Sequence, residues 1–210
     1  MYNVLSILFC LTLFYVAITS RVKAYVNILR VQGLILAILL MIPFIYNFSI
    51  YGIILPATIL LVKVYLIPRY VNKVILDLDI KRRIEPSIQP MVFFPLVIAS
   101  MIVIFITSSV LSKSTELDVI PFASGFSAIV VGIYVIMFRK KLIVHVCGFL
   151  ILENGIFLFS SAVASEMPMM IELGTLLDVF VVVFLMGIAL NGIRSTFEGF
   201  EVKHLGRLKD

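Results

Sequence analysis

"FRKKLIVHVCGFLILENGIFLF" (Phe138–Phe159) opens on a basic turn and then runs apolar, broken by His145 and by the adjacent carboxylate and amide of Glu153 and Asn154. About 20 apolar residues at ~1.5 Å rise span the ~30 Å hydrocarbon core of a bilayer, so this stretch reads as a membrane-crossing helix. The rest of the chain has the same character. Of 210 residues, 62% are hydrophobic and 14% charged, and the mean hydropathy is +1.17. Globular domains are typically about half apolar and roughly a quarter charged. A soluble fold could not hide this much apolar surface, and the sequence predicts an integral membrane protein.

The same window places helices near 2–20, 25–46, 50–75, 91–112, 120–138, 142–164 and 169–193. The runs are continuously apolar and do not alternate, which favours helices over a barrel, and in lipid only these two architectures satisfy every backbone group. The expected fold is therefore an all-α integral membrane protein with about seven transmembrane helices. Fifteen of the 17 Lys and Arg residues fall on one side: Arg21, Lys23, Arg30, Arg69, Lys73, Lys81, Arg82, Arg83, Arg139, Lys140, Lys141, Arg194, Lys203, Arg207 and Lys209. The opposite loops hold Lys113, and Lys63 lies within helix three. This bias predicts an N-terminus outside and a C-terminus in the cytoplasm. It also accounts for the net charge of +5 without nucleic acid.

The first stretch, "MYNVLSILFCLTLFYVAITS" (1–20), lacks a basic leading segment, and its first cations follow the apolar run, so it reads as a retained helix and not as a signal peptide. The expected organisation is a three-helix part at 1–76, a cytoplasmic linker "DLDIKRRIEPSIQP" at 77–90, a four-helix part at 91–193 and a cytoplasmic tail at 194–210. No internal repeat of the transporter kind stands out.

Once the cations on the cytoplasmic side are set apart, four ionisable groups remain at or near membrane depth, with Glu172 closer to the outer surface. Lys63, Glu153 and Asp178 sit near the middles of helices three, six and seven. His145 lies nearer the cytoplasmic end of helix six, and Glu172 near the outer end of helix seven. A charge at the centre of a span costs about 2.5–3.5 kcal/mol on insertion scales. Three such charges would face the bundle interior, paired or hydrated. Carboxylates balanced between desolvation and a nearby lysine can take up and release protons, the property an intramembrane proton path needs. The plainer reading is an ion-pair network that only locks helices together. For His145 the plainer reading is a bond to a neighbouring carbonyl, and for Glu172 a solvated interfacial position. Pro56 and Pro68 flank Lys63 and favour an irregular helix around it. Ser124, Gly125, Ser127, Ala128 and Gly132 read as a close-packing face of helix five.

Cys10 and Cys147 both lie in apolar runs and match no metal or redox spacing, so they read as buried structural thiols. Phosphate loops, zinc motifs and nucleophile elbows are missing from the sequence. No metal, no cofactor and no catalysis by the chain alone are expected. Asn47-Phe48-Ser49 matches a glycosylation sequon at a membrane edge, a pattern common by chance.

The segments 138–159 and "MMIELGTLLDVFVVVFLMGIAL" (169–190) resemble hydrogenase-4 component E, a membrane subunit of formate hydrogenlyase-type and other group 4 [NiFe] hydrogenase complexes. The family pattern falls on Gly148, Phe149, Glu153, Asn154, Gly155, Glu172, Gly174 and Asp178. "KVYLIP" (63–68) looks like the family's lysine-containing third helix, with Lys63 and Pro68 in matching places. Helices five to seven also resemble the K subunit of respiratory complex I and its counterpart in multisubunit cation/proton antiporters. Asp178 corresponds to the second carboxylate of that subunit, while Glu153 is shifted by about one turn from the first.

The resemblance implies a non-redox subunit in a prokaryotic inner membrane. Such a subunit sits between antiporter-like subunits and the one that anchors the redox arm, and it contributes to a proton or Na⁺ path. Three other readings stay open: a scaffold subunit of the same assembly, a subunit of a multisubunit cation/proton antiporter, and a stand-alone transporter. The missing inverted repeat weighs against the transporter.

Overall fold

The computed structural model describes residues 1–42, 56–77, 90–113 and 118–163, together with Gly174, Leu177, Phe180, Val181, Val183, Phe184 and Gly187. The described residues form helices α1 (Tyr2–Ile18), α2 (Val22–Met41), α3 (56–77), α4 (Pro90–Leu111), α5 (Val119–Phe138) and α6 (Leu142–Val163). The isolated described residues Gly174, Leu177, Phe180, Val181, Val183, Phe184 and Gly187 are each helical and are labelled α7. No strand occurs among the described residues. The segments 25–46, 50–75 and 169–193 of the sequence reading, the centre of the 77–90 linker, the sequon and the 194–210 tail lie partly or wholly outside them.

Among the described residues, four helices are long and apolar enough to cross a membrane: Val22–Met41, Met91–Leu111, Val119–Phe138 and Leu142–Val163. Tyr2–Ile18 is apolar but shorter. The chain is thus an all-helical protein with the span lengths of a membrane protein. Its outer faces carry large apolar side chains, among them Val4, Leu8 and Leu11 on α1 and Ile102, Val103, Ile106 and Val110 on α4. The hydroxyls of α4 are satisfied by its own backbone. Ser100 donates to Val97 O at 2.8 Å, Ser108 to Ile104 O at 2.7 Å and Ser109 to Ile106 O at 2.7 Å. Lipid offers no other partner, so these serines need no polar path beside them.

In the bundle α6 packs against α5 and α2, α3 packs against α2 and reaches α6 through Lys63, and α1 bridges α2, α4 and α5. The α5–α6 contact is the most extensive, and glycine makes it possible. A Cβ on Gly132 would lie 2.7 Å from Gly148 O and from Leu152 N; one on Gly155 would lie 2.8 Å from Gly125 O and 2.7 Å from Ile129 N. The pairs Gly132/Gly148 and Gly125/Gly155 recur every seven residues along two antiparallel helices, so the two backbones touch over two turns. Gly155 therefore serves packing, directly beside Glu153 and Asn154.

The turns at 19–21 and 139–141 meet at one end of the bundle. Arg139 is buried there. Its guanidinium donates to Thr19 O at 3.3 Å and lies 4.8 Å from the ring centre of Phe93 on α4. Arg21, Lys23, Lys140 and Lys141 share this end, as the charge bias requires. Arg139, read from sequence as one more loop cation, instead fastens the α5–α6 turn to the α1–α2 turn through a charged hydrogen bond and to α4 through a cation–π contact. Arg139→Ala is expected to cost about 2 kcal/mol of stability, read as a lowered melting temperature of the purified chain in detergent. Lys140→Ala, which removes an exposed charge, is expected to leave it unchanged.

Candidate functional site

The site begins with the helix that carries Lys63. Residues Leu60–Leu66 of α3 are wound as a π-helix, and Ile67 N–H reaches back to Val62 O, five residues away. Pro68 has no N–H to return to the preceding turn, so the ordinary ladder is already broken one residue on. A π segment is rare and usually needs a local cause. Here the proline supplies one, and the widened turn holds Lys63 pointing inward. Gly33 on α2 leaves room for it: a Cβ there would stand 3.1 Å from Lys63 Cβ and 3.2 Å from Val64 Cγ2.

Lys63 meets Glu153 inside the bundle. Nζ lies 2.6 Å from Glu153 Oε1, with side-chain exposures of 6% and 4%. The ammonium also donates to Asn154 Oδ1 at 3.0 Å. From there a chain of amides continues. Asn154 Nδ2 donates to Gln32 Oε1 at 3.2 Å, Gln32 Nε2 to Thr12 Oγ1 at 2.9 Å, and Thr12 Oγ1 to Phe9 O at 2.6 Å. The polar cluster thus joins α6, α3, α2 and α1. On its remaining side α7 approaches closely, since a Cβ on Gly174 would be 3.5 Å from Glu153 Oε1. A void of about 10 Å³ borders Lys63 and Asn154, near the smallest that holds one water.

Two charges removed from water in this way are held by each other and by the amides. Attraction in a low-dielectric interior offsets desolvation only when the geometry is good and the remaining hydrogen-bond positions are filled. The 2.6 Å contact and the bond to Asn154 Oδ1 supply that geometry on the ammonium side. Chemically, a carboxylate with an ammonium at 2.6 Å in an enclosed site can exchange one proton between the two partners without creating net charge.

Of the residues singled out by sequence, Lys63 and Glu153 are brought together. His145 is not. Its Nε2 bonds the carbonyl of Arg139, which can only accept, so the ring nitrogen carries the proton and donates. The histidine closes the first turn of α6 and also borders an apolar cavity of about 290 Å³, lined in part by Phe149 on α6 and by Phe180 and Phe184 on α7. Asp178 and Glu172 lie outside the described residues. Sequence reasoning missed Gln32 and Thr12 and gave Asn154 no role. The available signal was Gln32, the one polar side chain in "VQGLILAILLM" (31–41). Cys10 and Cys147 are free and buried.

No protein-family model matches the chain. It is 26% identical over 105 residues to the uncharacterized protein Rv0085 of Mycobacterium tuberculosis, which covers 50% of this chain and 48% of that protein. The chain therefore matches about half the length of this relative. No solved structure matches.

Proposed function

We propose that the chain is a non-redox membrane-arm subunit of a complex I-like or group 4 [NiFe] hydrogenase-type assembly. In this reading it spans the membrane seven times with its N-terminus outside, and it contributes Lys63, Glu153 and Asp178 to a proton or Na⁺ path coupled to electron transfer. His145 and Glu172 stand at the two ends of that path. The observation that carries the reading is the buried Lys63–Glu153 pair, located at the lysine and the Glu-Asn-Gly stretch that resemble hydrogenase-4 component E. Ionisable side chains at membrane depth are rare, and they mark ion or proton paths more often than other features do.

A second reading, a scaffold subunit, is favoured by the polar chain itself. Its hydrogen bonds tie four helices together, as a structural network would.

Affinity purification of the chain from its native membrane, followed by mass spectrometry, tests the context. Recovery of antiporter-like subunits with a [NiFe] large subunit or another redox module is expected. Recovery of the chain alone, moving a solute in liposomes without partners, would remove the proposal.

A further inference from the structure

The hydrogen bonds from Lys63 to α1 run in one sense, fixed at one end by an ammonium that can only donate and at the other by the Phe9 carbonyl, which can only accept. Lys63 can only donate. Asn154 must therefore offer it Oδ1, which leaves Nδ2 facing Gln32. Gln32 must accept through Oε1, which turns Nε2 toward Thr12. Thr12 accepts with its hydroxyl oxygen and donates its own O–H to Phe9 O. Both ends of the chain thus call for the same orientation of each amide, and the Lys63 end does so for as long as the ammonium is charged and in place.

Lys63 itself needs holding. It is a long side chain with several rotatable bonds on an irregular turn of helix, and an unrestrained ammonium could leave Glu153 for another acceptor. We infer that Asn154 and Gln32 are positioning residues that hold the Lys63 ammonium against Glu153, with Thr12 anchoring them to the backbone of α1. Its functional consequence rests on the ion-path reading proposed above. The positioning itself rests only on the geometry. The role is directional: the closer a link stands to Lys63, the more its removal displaces the ammonium.

The test uses Asn154→Leu, Gln32→Leu and Thr12→Val in the full chain within its assembled complex, beside Glu153→Gln and a buried control on α6, Ser160→Ala. Two quantities are read: ion movement per turnover, and the infrared carboxylate band that disappears in Glu153→Gln. Asn154→Leu is expected to lower coupled ion movement about tenfold, the weight of one charge-assisted hydrogen bond. Gln32→Leu should lower it about threefold, as for a neutral bond, and Thr12→Val less. The Glu153 band should shift in the same order and stay fixed in Ser160→Ala.

A band that superimposes on wild type in both Asn154→Leu and Gln32→Leu would overturn the inference, whatever happens to stability. Where a variant leaves the complex, the band is recorded on the isolated full chain in nanodiscs, and the same criterion applies. If Glu153→Gln retains full coupling, the ion-path reading fails, and the band alone still decides the positioning claim.

Discussion

Lys63→Met is expected to destabilise the purified chain by about 3–5 kcal/mol, because it leaves Glu153 buried without the opposite charge it faces. Methionine keeps most of the stem volume, so the effect is electrostatic and not one of packing. The carboxylate, 4% exposed and 2.6 Å from Nζ in the native chain, would have to stay charged in an apolar site or become protonated. The double variant Lys63→Met/Glu153→Gln is expected to recover most of the loss, since no unpaired charge remains. Thermal unfolding in detergent measures both. If the single variant is as stable as wild type, or the double variant is as unstable as the single, the pair does not have the energetic role assigned here.

Gly132→Leu is expected to have an effect of similar size for a different reason. The new side chain would begin 2.7 Å from Gly148 O and Leu152 N, which are backbone atoms with no rotamer to change. The helices α5 and α6 must separate, and overpacking of this kind costs about 3 kcal/mol or more. Because α6 carries Glu153 and Asn154, the separation also draws them from Lys63 and Gln32, so the substitution should reduce both stability and incorporation into the complex. Ile133→Leu, one residue along on the exposed face, serves as the comparison and should change neither. A blue-native gel beside the unfolding curve reads both effects.

The sequence made the charged part of the site legible, and the reason is energetic. An ammonium and carboxylates in the middle of apolar runs are costly enough to demand partners, so the sequence sets Lys63, Glu153 and Asp178 facing the bundle interior, paired or hydrated, without saying which carboxylate meets the lysine. Gln32 and Thr12 were not legible in this way. A lone amide or hydroxyl in a membrane helix carries a small penalty, and hydroxyls commonly bond their own helix, as Ser100, Ser108 and Ser109 do here. Only a three-dimensional arrangement shows that Thr12 also accepts from Gln32 across a helix interface.

The irregularity around Lys63 was half legible. Pro68 announced a broken ladder, but a π segment over Leu60–Leu66 depends on how α3 sits against Gly33 of α2. The small residues of helix five pointed to close packing, while Gly148 and Gly155 entered only as parts of a motif. Their spacing against Gly132 and Gly125 explains them physically. His145 had two readings, relay or carbonyl partner, and its bond to Arg139 O fits the second. A place for it in ion transfer now depends on movement at that turn.

The most direct test of the central claim is proton uptake per electron pair by the assembled complex carrying Glu153→Gln, reconstituted into liposomes. Glutamine keeps the shape of the side chain and an acceptor for Lys63, but it cannot exchange a proton. The account predicts a complex that assembles on a blue-native gel and turns over electrons, with proton uptake abolished or reduced at least tenfold. An assembled complex with unaltered uptake would contradict it.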